Sequence, residues 1–168
     1  TNYILLELGQ PLHAFDHDQL VGDIKVRFAK EAEELTLLDE TKISLNKDCL
    51  VIADKKGSIA FAGIMGGLDS SVTDSTKSIY LESAYFKPEA IRGKARRFGL
   101  QTDASMRFER GVDFNIQELA IERASKLLNN SVGGRFGPLQ VVTEKKSLPK
   151  QNKVSVNISS ANRILGAD

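Results

Sequence analysis

Short apolar runs separated by turn-forming residues constrain the fold of this chain more than any other feature. Between residues 23 and 62 the runs IKVRFA, LTLLD, KISLN, CLVIAD and SIAFAG follow one another, with Asp39 and Lys56-Gly57 among the turn formers between them. Runs this short, divided in this way, are typical of antiparallel hairpins. GIMGG interrupts the series at 63–67, and SIYLESAYF then predicts one further strand.

Helix signals flank these runs. The N-terminal TNYILLELG is typical of a helix end that Gly9 closes. Pro88 and Gly99 mark the start and the stop of a helix over KPEAIRGKARRFG. Further along, GPLQVVTE at 137–144 predicts a last strand.

The longest helix is predicted after residue 115. Asn115 followed by Glu118 resembles a capping box, and the apolar stripe behind it predicts a helix that ends near 133–134. Strands first and helices later favour an α+β fold, with a largely antiparallel or mixed β-sheet and flanking helices.

Composition and charge exclude several classes of protein. With 41% hydrophobic and 27% charged residues, the chain is typical of one globular domain. Cys49 is its single cysteine and no cysteine–histidine cluster exists, so we expect no disulfide, no metal and no cofactor in it. No apolar run approaches the roughly 20 residues that span a bilayer, so we expect a cytoplasmic protein that contacts no membrane. The net charge of +1 leaves nucleic-acid contact to a local basic patch.

Two histidines lie among carboxylates in GQPLHAFDHD, which we predict to be a loop after the first helix. His13 or His17, beside Asp16 and Asp18, could act as a base or orient a substrate. A loop histidine that only caps backbone groups fits the same spacing. GIMGG either lets a backbone approach a ligand closely or forms a tight turn between strands. It lacks the lysine and the spacing of nucleotide-binding loops.

Charged residues mark two further candidate sites. Strand alternation places Glu82 on the face opposite Leu81, where its carboxylate is either solvated or, in a cavity, in need of a donor. RGKARRFG is the main basic patch and predicts either phosphate contact or a solvated helix face. Its cations are Arg92, Lys94, Arg96 and Arg97.

The stretch QTDASMRFERGVD, at 101–113, is predicted to be a loop between two helices. Charges of alternating sign are expected to pair among themselves and fasten this loop; they are Arg107, Glu109, Arg110 and Asp113. Pairing would leave Thr102 to Ser105 as the segment presented to a ligand. Ser105 lacks the turn context of a nucleophile elbow, so we assign no nucleophile here.

Together, in this order and at this spacing, these motifs resemble the editing module of the β subunit of bacterial phenylalanyl-tRNA synthetase. The resemblance rests on NYILLELGQPLHAFD, GIMGG, YLESAYF and ARRFGLQTDASMRFERGVD and covers about residues 1–145. It implies a tRNA-editing domain over 1–147, a linker over 148–152 and the start of the next β-subunit module over 153–168. Both ends are therefore expected to lie inside a longer protein. Met106 and Phe114 depart from the His and Pro expected there.

The resemblance implies a part of phenylalanine–tRNA ligase that hydrolyses tyrosine from mischarged tRNA for phenylalanine. His13 would position or deprotonate the attacking water, and Thr102 would hydrogen-bond near the ester or the terminal ribose. Glu82 would accept the phenol of the tyrosyl group. The remaining pocket residues implied by the family are Pro11, Ala62, Gly66, Asp103 and Ala104.

The same resemblance implies partners and leaves an alternative open. The partners are the tRNA for phenylalanine, its tyrosyl moiety and the synthetase α subunit, and ATP and magnesium would act outside this region. The alternative is a tRNA-binding or scaffold module of the same fold without hydrolysis. A free-standing editing protein is disfavoured by the second unit that begins near Lys153.

Overall fold

The computed structural model describes residues 1–150 and 152–166, and it confirms an α+β fold with antiparallel sheets. The strands are β1 (Leu12–Asp16), β2 (Lys25–Phe28), β3 (Glu33–Thr36), β4 (Lys42–Leu45), β5 (Leu50–Ala53), β6 (Ser58–Phe61), β7 (Met65–Gly66) and β8 (Ile79–Ser83). The helices are α1 (Asn2–Leu8), α2 (Pro88–Ile91), α3 (Lys94–Arg97), α4 (Asp103–Arg110), α5 (Gln117–Val132) and α6 (Ile158–Leu165).

The strands form three antiparallel groups. A four-stranded sheet has the order β2-β5-β6-β7, while β3 pairs with β4 and β1 pairs with β8. An isolated bridge between Leu37 and Gly67 joins the β3–β4 hairpin to the larger sheet. The predicted hairpins between residues 23 and 62 are therefore confirmed.

The main core lies between the sheets and the short helices α2 to α4. In β4, Ile43 and Leu45 are buried while Lys42 and Ser44 are exposed, as expected of a strand with one face in the core. In β5 and β6 both faces are buried, because helices and the other strands cover them. The largest fully buried side chains here include Phe15, Phe61, Leu37, Leu45, Ile91 and Val51.

The β1–β8 ribbon separates this core from a smaller one. Strand alternation turns His13 and Phe15 towards the main core, and their rings meet edge to face with centroids 4.5 Å apart. The opposite face carries Leu12 and Leu81, which pack against a cluster formed by α1 and α5. Except at Ile79 and Tyr80, which are exposed, the ribbon thus packs on both faces, and this packing fixes its register.

Two predicted boundaries near the basic patch are wrong. The helix over 88–99 is two short helices, because Gly93 between them adopts a φ of 75° that ends the first and starts the second. The predicted loop at 101–113 contains the two-turn helix α4. Thr102 and Ser105 form the capping box that starts α4.

The start and the surroundings of α5 also differ from the sequence prediction. Ile116 occupies the N-cap without a side-chain hydrogen bond, and Asn115 instead donates to Asp113. Residues 137–144 form no strand, and Val142 there is 95% exposed. An apolar run adopts a strand only where another strand or a core receives it.

The remainder of the described chain is sparsely structured up to α6. A short 3-10 turn, Lys145–Ser147, precedes α6, whose N-cap Asn157 accepts from Ser160 N at 3.2 Å. Of the predicted linker and second unit, Gln151 and residues 167–168 lie outside the described residues. The boundaries at 147 and 153 stay predictions. Within the described ranges, no helix combines the length and apolar character needed to cross a bilayer.

Candidate functional site

A small cavity lies where β1, β8, the β6–β7 turn and α4 meet. Its volume is about 70 Å³. Five residues named from the sequence line it: Pro11, His13, Gly66, Glu82 and Ala104. The other three predicted pocket residues, Ala62, Thr102 and Asp103, do not line it.

His13 and Glu82 face each other across the β1–β8 ribbon. His13 lies in a strand, which corrects the predicted loop, and its register partner is Glu82. Directly opposed residues of an antiparallel pair project from the same face. The sequence separates these two residues by most of the domain, and the ribbon brings them together at one wall of the cavity.

The imidazole of His13 lies against Gly66. A Cβ added at Gly66 would lie 2.5 Å from His13 Nε2, so only glycine leaves room for the ring there. Within the described part of the chain, His13 Nε2 is buried and has no hydrogen-bond partner. Burial lowers the pKa of His13 and so favours the neutral ring, in which one ring nitrogen can accept a hydrogen bond.

Glu82 is a half-buried acid in a cavity whose wall is otherwise mostly apolar. Burial raises the pKa of its carboxyl from 4.5 to about 7. No charge or hydrogen bond within the described residues offsets this burial, which is the only cause of the shift. A carboxyl held in this way is half ionised near pH 7 and is available to a polar ligand group.

Thr102 fastens α4 to the GIMGG segment. Its hydroxyl donates to Ile64 O at 3.0 Å and accepts from Ser105 N at 3.0 Å. The hydroxyl of Ser105 accepts from Thr102 N at 3.0 Å and completes the cap. These bonds place Ala104, in the first turn of α4, against the cavity.

Several contributors to the site were not named from the sequence. Phe108 of α4 lines the cavity and packs edge to face on Phe86, with ring centroids 5.1 Å apart. Gln10 is fully buried behind the cavity, and its side chain makes three hydrogen bonds. Its position between Gly9 and Pro11 is the one signal that could have marked it. The other lining residues not named are Leu12, Ile52, Ala60, Phe61, Gly63, Ile64 and Met65.

The basic patch divides into paired and unpaired cations. Lys94 and Arg97 both bind the carboxylate of Asp48, and Arg97 also donates to the fully buried Cys49 Sγ at 3.0 Å. The hydrogen bonds from Arg97 and Lys94 hold the pKa of the Asp48 carboxyl well below its usual range. Arg92 donates to Glu109 O at 3.3 Å, and Arg96 is exposed with no ion pair among the described residues.

The charges of 107–113 do not pair with one another, which corrects the sequence prediction. Arg107 donates to Asp103 O at 3.2 Å, and Glu109 accepts from Gly93 N at 3.2 Å. Arg107 and Glu109 are two residues apart on α4, and side chains at that spacing do not face each other, so each binds elsewhere. His17 does not line the cavity; it lies 3.5 Å from the Asp18 carboxylate, and its side chain is 63% exposed.

Comparison with known proteins gives the family. Residues 1–133 match the B3/4 domain. The phenylalanine–tRNA ligase beta subunit of Acinetobacter baylyi is 54% identical over 166 residues, which are 99% of this chain and 21% of that protein. The beta subunits of Francisella tularensis and Psychrobacter arcticus are 52% and 54% identical over 168 residues, again 21% of each protein.

These matches confirm the resemblance to a segment of the β subunit. The chain spans about a fifth of the length of the curated relatives that it matches. The family match covers all eight strands, α1 to α5 and every residue of the cavity wall. On this similarity the chain belongs to the B3/4 domain family.

Proposed function

We propose that this chain is the segment of a phenylalanine–tRNA ligase β subunit that hydrolyses tyrosine from mischarged tRNA for phenylalanine. The observation that carries the proposal is Glu82, a carboxyl without an internal partner in an otherwise largely apolar cavity. The names of the relatives supply the ligase. The proposed setting is the cytoplasm, with an α subunit as partner and with ATP and magnesium used outside this region.

A physical problem explains why such a ligase needs a second site. An apolar pocket that holds a phenyl ring rejects an analogue that merely adds a hydroxyl by only about 100-fold. A pocket built to hydrogen-bond the hydroxyl discriminates in the other direction, because the smaller substrate leaves the polar group of the pocket unpaired. That loss costs roughly 1–3 kcal/mol.

Glu82 is the proposed acceptor for the phenol. A carboxylate is an acceptor only, and the phenol hydroxyl of tyrosine is a donor near neutral pH. Phenylalanine would place a C–H against the same carboxyl and would leave it without a partner. Ala104 presents little side chain to the cavity, which leaves space for a ring. Gly66 instead gives room to the imidazole of His13.

His13 is the proposed residue for the attacking water. A neutral imidazole nitrogen can accept a hydrogen bond from water and thereby orient it. An aminoacyl ester is already activated, so an oriented water and a ribose hydroxyl of the tRNA suffice as reactants. Whether His13 also removes the proton is a separate question that a pH–rate profile answers.

Thr102 and Asp103 are proposed to act at the edge of the cavity. The hydroxyl proton of Thr102 goes to Ile64 O, and one lone pair is taken by Ser105 N. The second lone pair remains and could accept from a ribose hydroxyl, which is a positioning contact. Asp103 opens α4 beside it, and Ala62 supports the wall from within the core.

Contact with tRNA phosphates is proposed for Arg96 and Arg92. Lys94 and Arg97 already bind Asp48, and breaking those ion pairs would oppose their contact with phosphate. Arg96→Ala is therefore expected to weaken tRNA binding and to lower the salt slope by about 1. Arg97→Ala is the matched control and should instead reduce stability.

The central experiment uses the complete synthetase with tyrosyl-tRNA and phenylalanyl-tRNA, both on the tRNA for phenylalanine. Glu82→Ala should slow clearance of tyrosyl-tRNA, while Glu34→Gln, at an exposed strand glutamate, should not. Clearance at the wild-type rate by Glu82→Ala would refute phenol recognition by this residue. A wild-type enzyme that clears neither ester would favour the tRNA-binding module without hydrolysis.

A further inference from the structure

A proline, Pro11, directly precedes β1 and ends the β1–β8 ladder next to the cavity. His17 N donates to Ser78 O at 3.0 Å, which identifies this register position as a hydrogen-bonded one. Hydrogen-bonded pairs recur at every second residue of an antiparallel ladder, so His13 and Glu82 form such a pair. The next pair in the series would join Pro11 to Ala84, and proline has no N–H to donate.

Gln10 supplies the donor that Pro11 lacks. Its Nε2 donates to Ala84 O at 2.8 Å and also to Pro11 O at 3.0 Å. The side chain is fully buried, so no water competes for these carbonyls. One side-chain amide therefore binds a backbone carbonyl on each strand at the end of the ladder.

The amide of Gln10 is held in turn by α5. Gln117 Nε2 donates to Gln10 Oε1 at 3.1 Å and to Asp113 O at 2.7 Å. With its acceptor occupied, the amide of Gln10 has a single orientation in which both N–H groups point at the ladder. This series of hydrogen bonds thus connects α5 to the two strands that carry the cavity wall.

We infer that Gln10 is a positioning residue that replaces the missing N–H of Pro11 and thereby fixes His13 opposite Glu82 at the end of the ladder. The structural part, that Gln10 holds His13 opposite Glu82, rests on these hydrogen bonds alone. The catalytic part, that Gln10 supports hydrolysis of tyrosyl-tRNA, rests on the proposed function. Both carbonyls that Gln10 binds lie two residues from a member of the pair: Pro11 from His13, and Ala84 from Glu82. Loss of the amide removes this donor from the carbonyls of both Pro11 and Ala84 and so releases both strands at this end of the ladder.

The structural part is tested by amide hydrogen exchange on this chain. Gln10→Met keeps the length of the side chain and removes both donors, and the amides of His13 and Glu82 should exchange roughly 5- to 30-fold faster. Leu45→Val, a core change in β4, is the control that should not affect these two amides selectively. Unchanged protection of both amides in Gln10→Met would overturn the inference.

A rescue variant makes the test specific to the missing donor. Adding Pro11→Ala to Gln10→Met restores a backbone N–H opposite Ala84 O, and the protection of His13 and Glu82 should return towards the wild-type level. The double variant is compared with Pro11→Ala alone, which shows the effect of the alanine by itself. If the double variant stays less protected than Pro11→Ala, Gln10 does not act by replacing the missing N–H donor. If Gln10→Met does not fold, Gln10→Glu answers the same question through its pH dependence. A glutamate buried there can donate to these carbonyls while protonated and cannot once ionised, so protection of the two amides should fall as pH rises.

The catalytic part is tested in the complete synthetase. Gln10→Met should lower kcat for tyrosyl-tRNA hydrolysis roughly 10- to 100-fold, because a small misplacement of reacting groups costs that much, and KM should change little. A merely destabilised enzyme, represented by Leu45→Val, would keep its kcat per folded molecule. A wild-type kcat in Gln10→Met would overturn the inference, whereas absence of hydrolysis in the wild-type enzyme would refute only the proposed function.

Discussion

The half-buried acid at the cavity should reduce the stability of the fold as pH rises, and its removal should abolish that loss. Glu82 has a pKa of about 7 in the folded chain and 4.5 as its ordinary value. Below about 4.5 the group is neutral in both states and contributes nothing. Between the two values the folded state binds the proton more tightly, so stability falls with rising pH until both states are ionised.

The size of this effect follows from the shift. A rise from 4.5 to about 7 corresponds to roughly 3 kcal/mol against the ionised folded state. Water that enters the cavity screens part of this cost, so we expect roughly 2 kcal/mol. Glu82→Gln carries no titrating group, and its own cost of burial does not change with pH.

Urea unfolding of both proteins across the pH range measures this difference. The free energy of unfolding of Glu82→Gln minus that of the wild-type chain should rise by about 2 kcal/mol from about pH 4 to about pH 8. Other titrating groups are present in both proteins and cancel in the difference. A difference that stays constant across this range would show that Glu82 is not buried as an unpaired acid, and the argument for phenol recognition would lose its basis.

Three further outcomes are expected. Gly66→Ala should displace the ring of His13 and lower tyrosyl-tRNA hydrolysis at least tenfold with little change in melting temperature, while Gly57→Ala, which meets open space, should be silent in both assays. Thr102→Val should lower the free energy of unfolding by about 1–2 kcal/mol through loss of the α4 cap, and Thr102→Ser should restore most of it. The arginine partner of Glu33 lowers the pKa of its carboxyl to about 2, so the ionised group stabilises the fold fully above about pH 4.5. The free energies of unfolding of the wild-type and Glu33→Gln chains should therefore differ by about 2 kcal/mol at pH 7 and converge as the pH falls to about 2.

The parts of the fold that the sequence predicted are those set by local patterns. Period-two runs and turn formers predicted the hairpins. The alternation in the last strand predicted that the side chains of Glu82 and Leu81 project from opposite faces of that strand. The cavity wall was assembled from the family resemblance, because no local pattern states that residue 13 pairs with residue 82. Five of the eight pocket residues named in that way line the cavity.

The parts that the sequence did not predict depend on long-range contacts or on unusual caps. The α4 cap uses Ser105 where a glutamate or glutamine is the usual signal, and the helix is mostly polar, so it resembled a loop. Lys94 and Arg97 find their carboxylate at Asp48, 46 and 49 residues away along the chain. The apolar residues at 137–144 meet no strand among the described residues, and propensity alone does not create one.

The burial of Cys49 beneath Arg97 gives the chain a built-in chemical reporter. It is the single thiol of the sequence, so an alkylating reagent has one target and reaches it only when the corner formed by Asp48 and Arg97 opens. The labelling rate therefore follows this local opening without an introduced probe. Arg96 directly precedes Arg97, the residue that covers the thiol. Binding of an RNA backbone at Arg96 should therefore change the rate at which Cys49 is alkylated.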